Sequence, residues 1–188
     1  MNKKIVWIAF ALLVLLQFWV PASVIFKKKD ILKTGTAFKF RTAPRDPNDY
    51  LRGKYVFLAF NENSFITNDN MQWQVGQDVY LTIAADSAGF AKITAATDKE
   101  DKAPEDHIKT KISYTDYENP RKIYVDWPFD RLYMEESKAP LAETAYNESR
   151  VDSNVISYAL VKVKHGDAVL ENVYIDNQPI EEYIKKKP

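Results

Sequence analysis

The sequence predicts a mainly β (α+β) protein: an N-terminal transmembrane helix, then a small antiparallel β-barrel or β-sandwich domain with one short helix near residues 138–148. Three observations carry this expectation. Residues 5–26 are apolar apart from Gln17 and Ser23. Beyond them, short runs alternate apolar and polar side chains and are separated by Gly, Pro, Asn and Asp, the pattern of strands joined by turns. Only one later stretch sets apolar residues at helical spacing, with Leu141, Ala142, Ala145 and Tyr146 on a narrow stripe.

The apolar run is long enough to cross the hydrocarbon core as a helix. Trp7 and Trp19 stand near its ends, where interfacial aromatics collect. Lys3 and Lys4 precede it and Lys27, Lys28 and Lys29 follow it, so the positive-inside rule is nearly balanced. A short basic tail before the span favours a cytoplasmic N-terminus and an extracytoplasmic domain at the cell membrane. A cleaved signal peptide ending at Val20-Pro21-Ala22 is the competing reading. The apolar run continues past that point to Phe26, which favours retention. The organisation expected is a tail over 1–4, an anchor over 5–26, a connector over 27–35, one β-rich domain over 36–184 and a basic tail over 185–188.

Within the domain, Phe38, Phe40 and Thr42 alternate with Lys39 and Arg41. Val79, Leu81 and Ile83 form the inward set of a strand over 78–85, and Asp86 to Gly89 turns it into a return strand over 90–96. Residues 61–76 are polar with isolated apolar positions, and read as a loop or short helix that lays Trp73 on the sheet. Residues 97–106 are charged and read as a mobile exposed loop. Ile108, Thr110, Ile112 and Tyr114 then share a strand face, as do Ile123, Val125 and Trp127. Residues 129–134 lead into the helix, whose N-terminus Ser137 can cap. Val161 and Val163 point inward on a strand that turns at His165-Gly166 and returns over 168–175.

Residues 41–60 are the stretch around which the domain is organised. Pro44 and Pro47 interrupt pairing, since proline donates no N–H. Asp46, Asn48 and Asp49 suit an Asx-turn or helical N-cap, and Gly53 permits a positive φ. Tyr55, Phe57 and Ala59 then face one side and Val56, Leu58 and Phe60 the other, the mark of a central strand. Gly53-Lys54-Tyr55-Val56-Phe57-Leu58-Ala59-Phe60 resembles the signature of the GDYXXLXY protein family, as do Pro44-Arg45-Asp46-Pro47 and Arg52 before it. Residues 129–146 and 161–180 resemble that family too. Lys54 stands where the signature has an acid, and Phe60 where it has a final tyrosine. The resemblance implies a membrane-associated, anchored domain and no particular reaction. It also implies a neighbouring multi-span membrane protein as partner.

Composition excludes several chemistries. Lys+Arg and Asp+Glu are 26 each, a formal net charge of zero that argues against nucleic acid as a partner. The absence of cysteine removes disulfides, thiolate nucleophiles and Cys-ligated zinc. Five glycines leave no phosphate cradle or dinucleotide fingerprint, and no cofactor is expected. His107 and His165 are isolated and read as turn or surface residues; no metal site is expected. Asp130, Glu135 and Glu136 could in principle split acid and base roles, but adjacent strand residues diverge, and acids before a helix have a sufficient role at its positive end. The candidate ligand- or partner-binding set is Arg45, Asp46, Asp49, Arg52, Lys54 and Tyr55, with Pro47, Gly53, Leu58 and Phe60 as its structural frame. Arg52 paired with Asp46 or Asp49 would lock the turn; the same cations would otherwise form a rim for an anionic ligand. Tyr50 and Tyr55 read most simply as core or rim aromatics. The expected role is an interaction or assembly module for another membrane protein, anchored in the bilayer through residues 5–26. The alternative is a membrane-tethered hydrolase of envelope polymers.

Overall fold

The computed structural model describes residues 3–43, 55–67, 72–116, 118, 121–151 and 155–186. A long helix, α1 (Lys3–Thr34), leads into the domain. Its Trp7, Phe18, Trp19 and Phe26 side chains are exposed, so this surface is covered by nothing in the domain. Among the described residues α1 is the one helix long and apolar enough to cross a membrane. It does not stop at the apolar boundary. Residues 27–34, expected as a connector, continue the helix. Lysine, leucine and isoleucine are competent helix formers, and nothing among them breaks the ladder. The break comes at Gly35, whose N–H bonds to the Ile31 carbonyl at 2.8 Å. A Cβ there would lie 2.6 Å from that same oxygen and 3.0 Å from the Val163 oxygen, so only glycine fits this close approach.

The last turns of α1 are docked on the domain. Ile31 is buried, Lys164 Nζ reaches Asp30 Oδ2 at 2.6 Å and Thr34 Oγ1 at 2.8 Å, and Lys27 pairs with Asp167 at 2.5 Å.

Among the described residues eleven strands follow: β1 (Thr36–Arg41), β2 (Tyr55–Phe57), β3 (Ser64–Ile66), β4 (Asp78–Ala85), β5 (Ala91–Thr97), β6 (His107–Asp116), β7 (Lys122–Asp126), β8 (Arg131–Tyr133), β9 (Ser157–Lys164), β10 (Asp167–Ile175) and β11 (Gln178–Pro179). Helix α2 (Ala139–Val151) lies between β8 and β9, and α3 (Ile180–Lys186) follows β11. All of their ladders are antiparallel. One sheet has the order β3-β7-β6-β4-β5, a second β1-β9-β10-β11, and β2 pairs with β8. β1 packs beside β5, β6 beside β9 and β10, and a parallel bridge joins Ile108 to Gly166. The sheets thus form a nearly closed, barrel-like wall.

The inward sets follow the period-two pattern. Val79, Leu81, Ile83, Ile123, Val125, Trp127, Val161 and Val163 are all buried, and Trp73 is fully so. At the centre the Phe40 ring meets Phe60, Trp127 and Phe129, with centroids 5.9, 5.1 and 4.9 Å away. Trp127 Nε1 donates to the Glu62 carbonyl at 2.7 Å, which satisfies the polar edge of a buried indole.

Several expectations are corrected. Tyr114 is exposed, because the β6–β7 register shifts between Ile112 and Tyr114 and the alternation flips. Leu141 is exposed, while Ala139, Ala142, Ala145 and Tyr146 form the buried stripe of α2. Residues 131–133 are a strand, not merely a lead-in. Residues 97–106 include a 3-10 turn, Glu100–Lys102. The end of the expected domain forms α3, which runs on through residues 185–186 of the expected basic tail, with Ile180 and Ile184 in the core. β2 is not the centre of a wide sheet: among the described residues its ladder partner is β8.

Candidate functional site: an aromatic and arginine face on the signature strand

β2 is short, but its chain continues as a splice between two parts of the wall. Leu58 N–H donates to the Asp130 carbonyl at 2.8 Å, extending the β8 side. One residue further the chain changes partner: Ala43 N–H donates to the Ala59 carbonyl at 2.8 Å, Thr42 bridges Phe60, and Asn61 N–H donates to the Arg41 carbonyl at 3.0 Å. Val56, Leu58 and Phe60 are buried, as the alternation requires.

The opposite face is where β2 and β8 present side chains outward. The register sets Tyr55 against Tyr133, Val56 against Leu132 and Phe57 against Arg131. Cross-strand pairs share a face, so Tyr55, Phe57, Arg131 and Tyr133 come together. The Arg131 guanidinium carbon lies 5.3 Å from the centroids of both Tyr55 and Phe57. Tyr55 is 5.6 Å from Tyr133 and 6.0 Å from Phe57, centroid to centroid. Arg131 Nε stands 3.5 Å from Asp130 Oδ1. Hydrogen bonding to Tyr133, and then the Asp130 charge, raise the Arg131 pKa further above its high ordinary value, so its positive charge is permanent. Tyr133 is 69% exposed and the Tyr55 and Phe57 rings are half-buried. Guanidinium over aromatic faces is a favourable cation–π arrangement that also fixes the arginine fork in place.

Of the residues the sequence singles out, Tyr55 lies on this face, and Leu58 and Phe60 lie beneath it in the core. Arg45, Asp46, Pro47, Asp49, Tyr50, Arg52, Gly53 and Lys54 fall outside the described residues. Sequence reasoning missed Phe57, Arg131 and Tyr133 as site residues. The signal was present in the alternation of Arg131, Leu132 and Tyr133, but nothing local says that β8 pairs with β2.

The acid/base set does not assemble. Glu135 pairs with Lys138 at 3.0 Å and its carbonyl accepts from the Lys138 and Ala139 N–H groups at the entry to α2; Asp130 serves Arg131. Among the described residues no group of three or more His, Asp or Glu side chains could hold a metal ion. His165 is exposed in its turn, as expected, with Nδ1 3.6 Å from Glu105. His107 is corrected to a buried residue, 4% exposed, whose ring nitrogen Nδ1 lies 2.7 Å from the Pro104 carbonyl oxygen. It packs edge-on to Tyr80 and holds the charged loop to the wall.

The family model for GDYXXLXY protein matches residues 17–173, which spans the second half of the apolar segment, the signature strand, the β2–β8 face and most of β10. The chain belongs to the GDYXXLXY family. Nothing among the curated proteins or the solved structures matches it. Within this GDYXXLXY domain, the described signature residues alternate: Val56, Leu58 and Phe60 enter the core, and Tyr55 and Phe57 build the aromatic face above it.

Proposed function

We propose that the protein is a single-pass membrane protein whose domain lies outside the cytoplasm and docks another membrane protein through the Tyr55, Phe57, Arg131 and Tyr133 face. The observation that carries this reading is the Arg131 guanidinium stacked against Tyr55 and Phe57 beside an exposed Tyr133. Tyrosine and arginine are enriched at interface hot spots, because they combine large contact area with directional polar groups. The face is held by a ladder on one side and the core beneath, so it is pre-organised. A partner loop that offers a carboxylate to the Arg131 fork and an apolar side chain to the rings is the complementary surface. The exposed apolar surface of α1 supports residence in the bilayer, where a multi-span protein is an accessible neighbour.

The test is recovery from native membranes in mild detergent. The wild-type chain and Arg131→Lys, Arg131→Glu and Tyr133→Ala variants are compared for one co-purifying membrane protein. The reading expects retention in wild type, weakening in Arg131→Lys and loss in the other two, with unchanged melting temperatures. A C-terminal reporter active outside the cytoplasm is expected from the same chain. Equal recovery from all four proteins overturns the docking face; a reporter active only in the cytoplasm overturns the orientation.

A further inference from the structure

A cleft of about 450 Å³ lies where α1 leaves its apolar stretch and meets the β9–β10 turn. Its charged lining is Lys27, Lys28, Lys109, His165, Glu100 and Asp167. That volume is in the range of small-molecule sites. Its position follows from the docking of α1. The apolar run ends at Phe26, and helical rise is about 1.5 Å per residue, so Lys27 and Lys28 stand within a few ångströms of the hydrocarbon boundary. The turn at His165 and Gly166 is tied to that level by the 2.5 Å Lys27–Asp167 pair and by Lys164 on Asp30. With α1 in the bilayer, the cleft opens at headgroup depth.

Its charges are arranged to leave one cation available. Asp167 is engaged with Lys27. Glu100 Oε1 lies 4.0 Å from His107 Nε2 and Glu105 Oε1 lies 3.6 Å from His165 Nδ1, so these two carboxylates face histidines and not lysines. Lys109 is held 3.1 Å from Asp78 Oδ2, which raises its pKa and keeps it charged at the cleft wall. Lys28 has no carboxylate within 4.0 Å among the described residues.

We propose that this cleft binds the phosphate of an anionic phospholipid headgroup, with Lys28 as its principal contact and Lys109 and His165 as the flanking wall. Phosphate is the chemistry that suits a compact ammonium group as a point-charge partner. A lipid is the favoured source because the cleft is continuous with the anchor helix, so a phosphate at this depth is already at high local concentration. The proposal rests on the reading that α1 spans the bilayer, and its test separates the two.

The full chain is reconstituted in nanodiscs of mixed phosphatidylglycerol and phosphatidylcholine. It is then released, and its retained lipids are counted by native mass spectrometry. Wild type and Lys28→Arg are expected to retain phosphatidylglycerol above its bulk proportion. Lys28→Glu is expected to lose that enrichment while still inserting, and the Lys3→Glu/Lys4→Glu chain, altered at the far end of the helix, is expected to keep it. Enrichment that survives Lys28→Glu, or that is lost equally in the Lys3/Lys4 variant, overturns the site in favour of diffuse attraction. Displacement of the lipid by millimolar inorganic phosphate overturns the lipid source. Failure of every variant to resist alkaline extraction from vesicles overturns the anchor itself, and with it this proposal.

Discussion

The Tyr146 hydroxyl lies 3.3 Å from the Ala59 amide nitrogen and 3.4 Å from the Ala59 carbonyl oxygen. One phenol on α2 thus serves the backbone at the point where the signature strand changes partner from β8 to β1. Tyr146 is 1% exposed, so the pair is shielded from water. Removing the hydroxyl leaves the Ala59 N–H without this partner in a dry site, which costs about 1–3 kcal/mol. Tyr146→Phe is expected to lower the melting temperature of the detergent-solubilised chain by several degrees, and Leu141→Ala, an exposed position on the same helix, to leave it nearly unchanged. Equal melts for both would show that α2 does not pin the strand.

Gly166 sits at φ +83, and a Cβ there would lie 2.8 Å from His107 Nε2. Two separate costs are therefore expected of Gly166→Ala: the left-handed backbone and the collision with a buried ring. Together they should exceed about 1 kcal/mol. His107→Ala removes the collision and not the backbone cost. In a double-mutant cycle the combined loss is expected to be smaller than the sum of the singles. Strict additivity would show that ring and turn do not touch.

The attachment of α1 to the domain is expected to be acid-sensitive. The hydrogen bond from Lys164, and its charge, hold the Asp30 carboxyl below its ordinary pKa. Lys109 does the same for Asp78 on β4, within the wall itself. A carboxylate whose folded pKa is depressed contributes stability above its unfolded pKa and loses it as pH falls through the folded value. The loss is therefore expected below about pH 4, not near neutrality. Melting temperatures of wild type and Asp30→Asn should differ at pH 7 and converge in acid. A gap that is constant from pH 7 downwards would contradict the ion pair as its cause.

Much of this architecture was legible locally. The long apolar helix over 5–26 and the inward sets of β4, β7 and β9 follow from composition and period alone, because a half-buried strand must alternate. What was hidden depends on non-local pairing or on a single shifted residue. The β6 register shift exposes Tyr114 without any mark in the sequence. His107 is buried because β4 brings Tyr80 and the β10 turn brings Gly166 against it, and neither is near in the chain. Helix α1 overruns its apolar boundary because helix-compatible residues continue to Gly35. The face around Arg131 could not be read at all until β8 was paired with β2. Half of it, Tyr55 and Phe57, lies in the signature strand; the other half, Arg131 and Tyr133, lies in a segment that shares the family resemblance but reads locally only as an approach to a helix.

The proposed docking face is tested most directly by placing a photo-crosslinking residue at Tyr133 in the full chain, in native membranes, with the same residue at Lys92 on the exposed side of β5 as reference. An adduct to one membrane protein is expected at Tyr133 and not at Lys92, and it is expected to disappear when Arg131→Glu is added. Labelling that is equal at the two positions, or indifferent to Arg131→Glu, would contradict the claim that the signature strand presents this GDYXXLXY domain's binding surface.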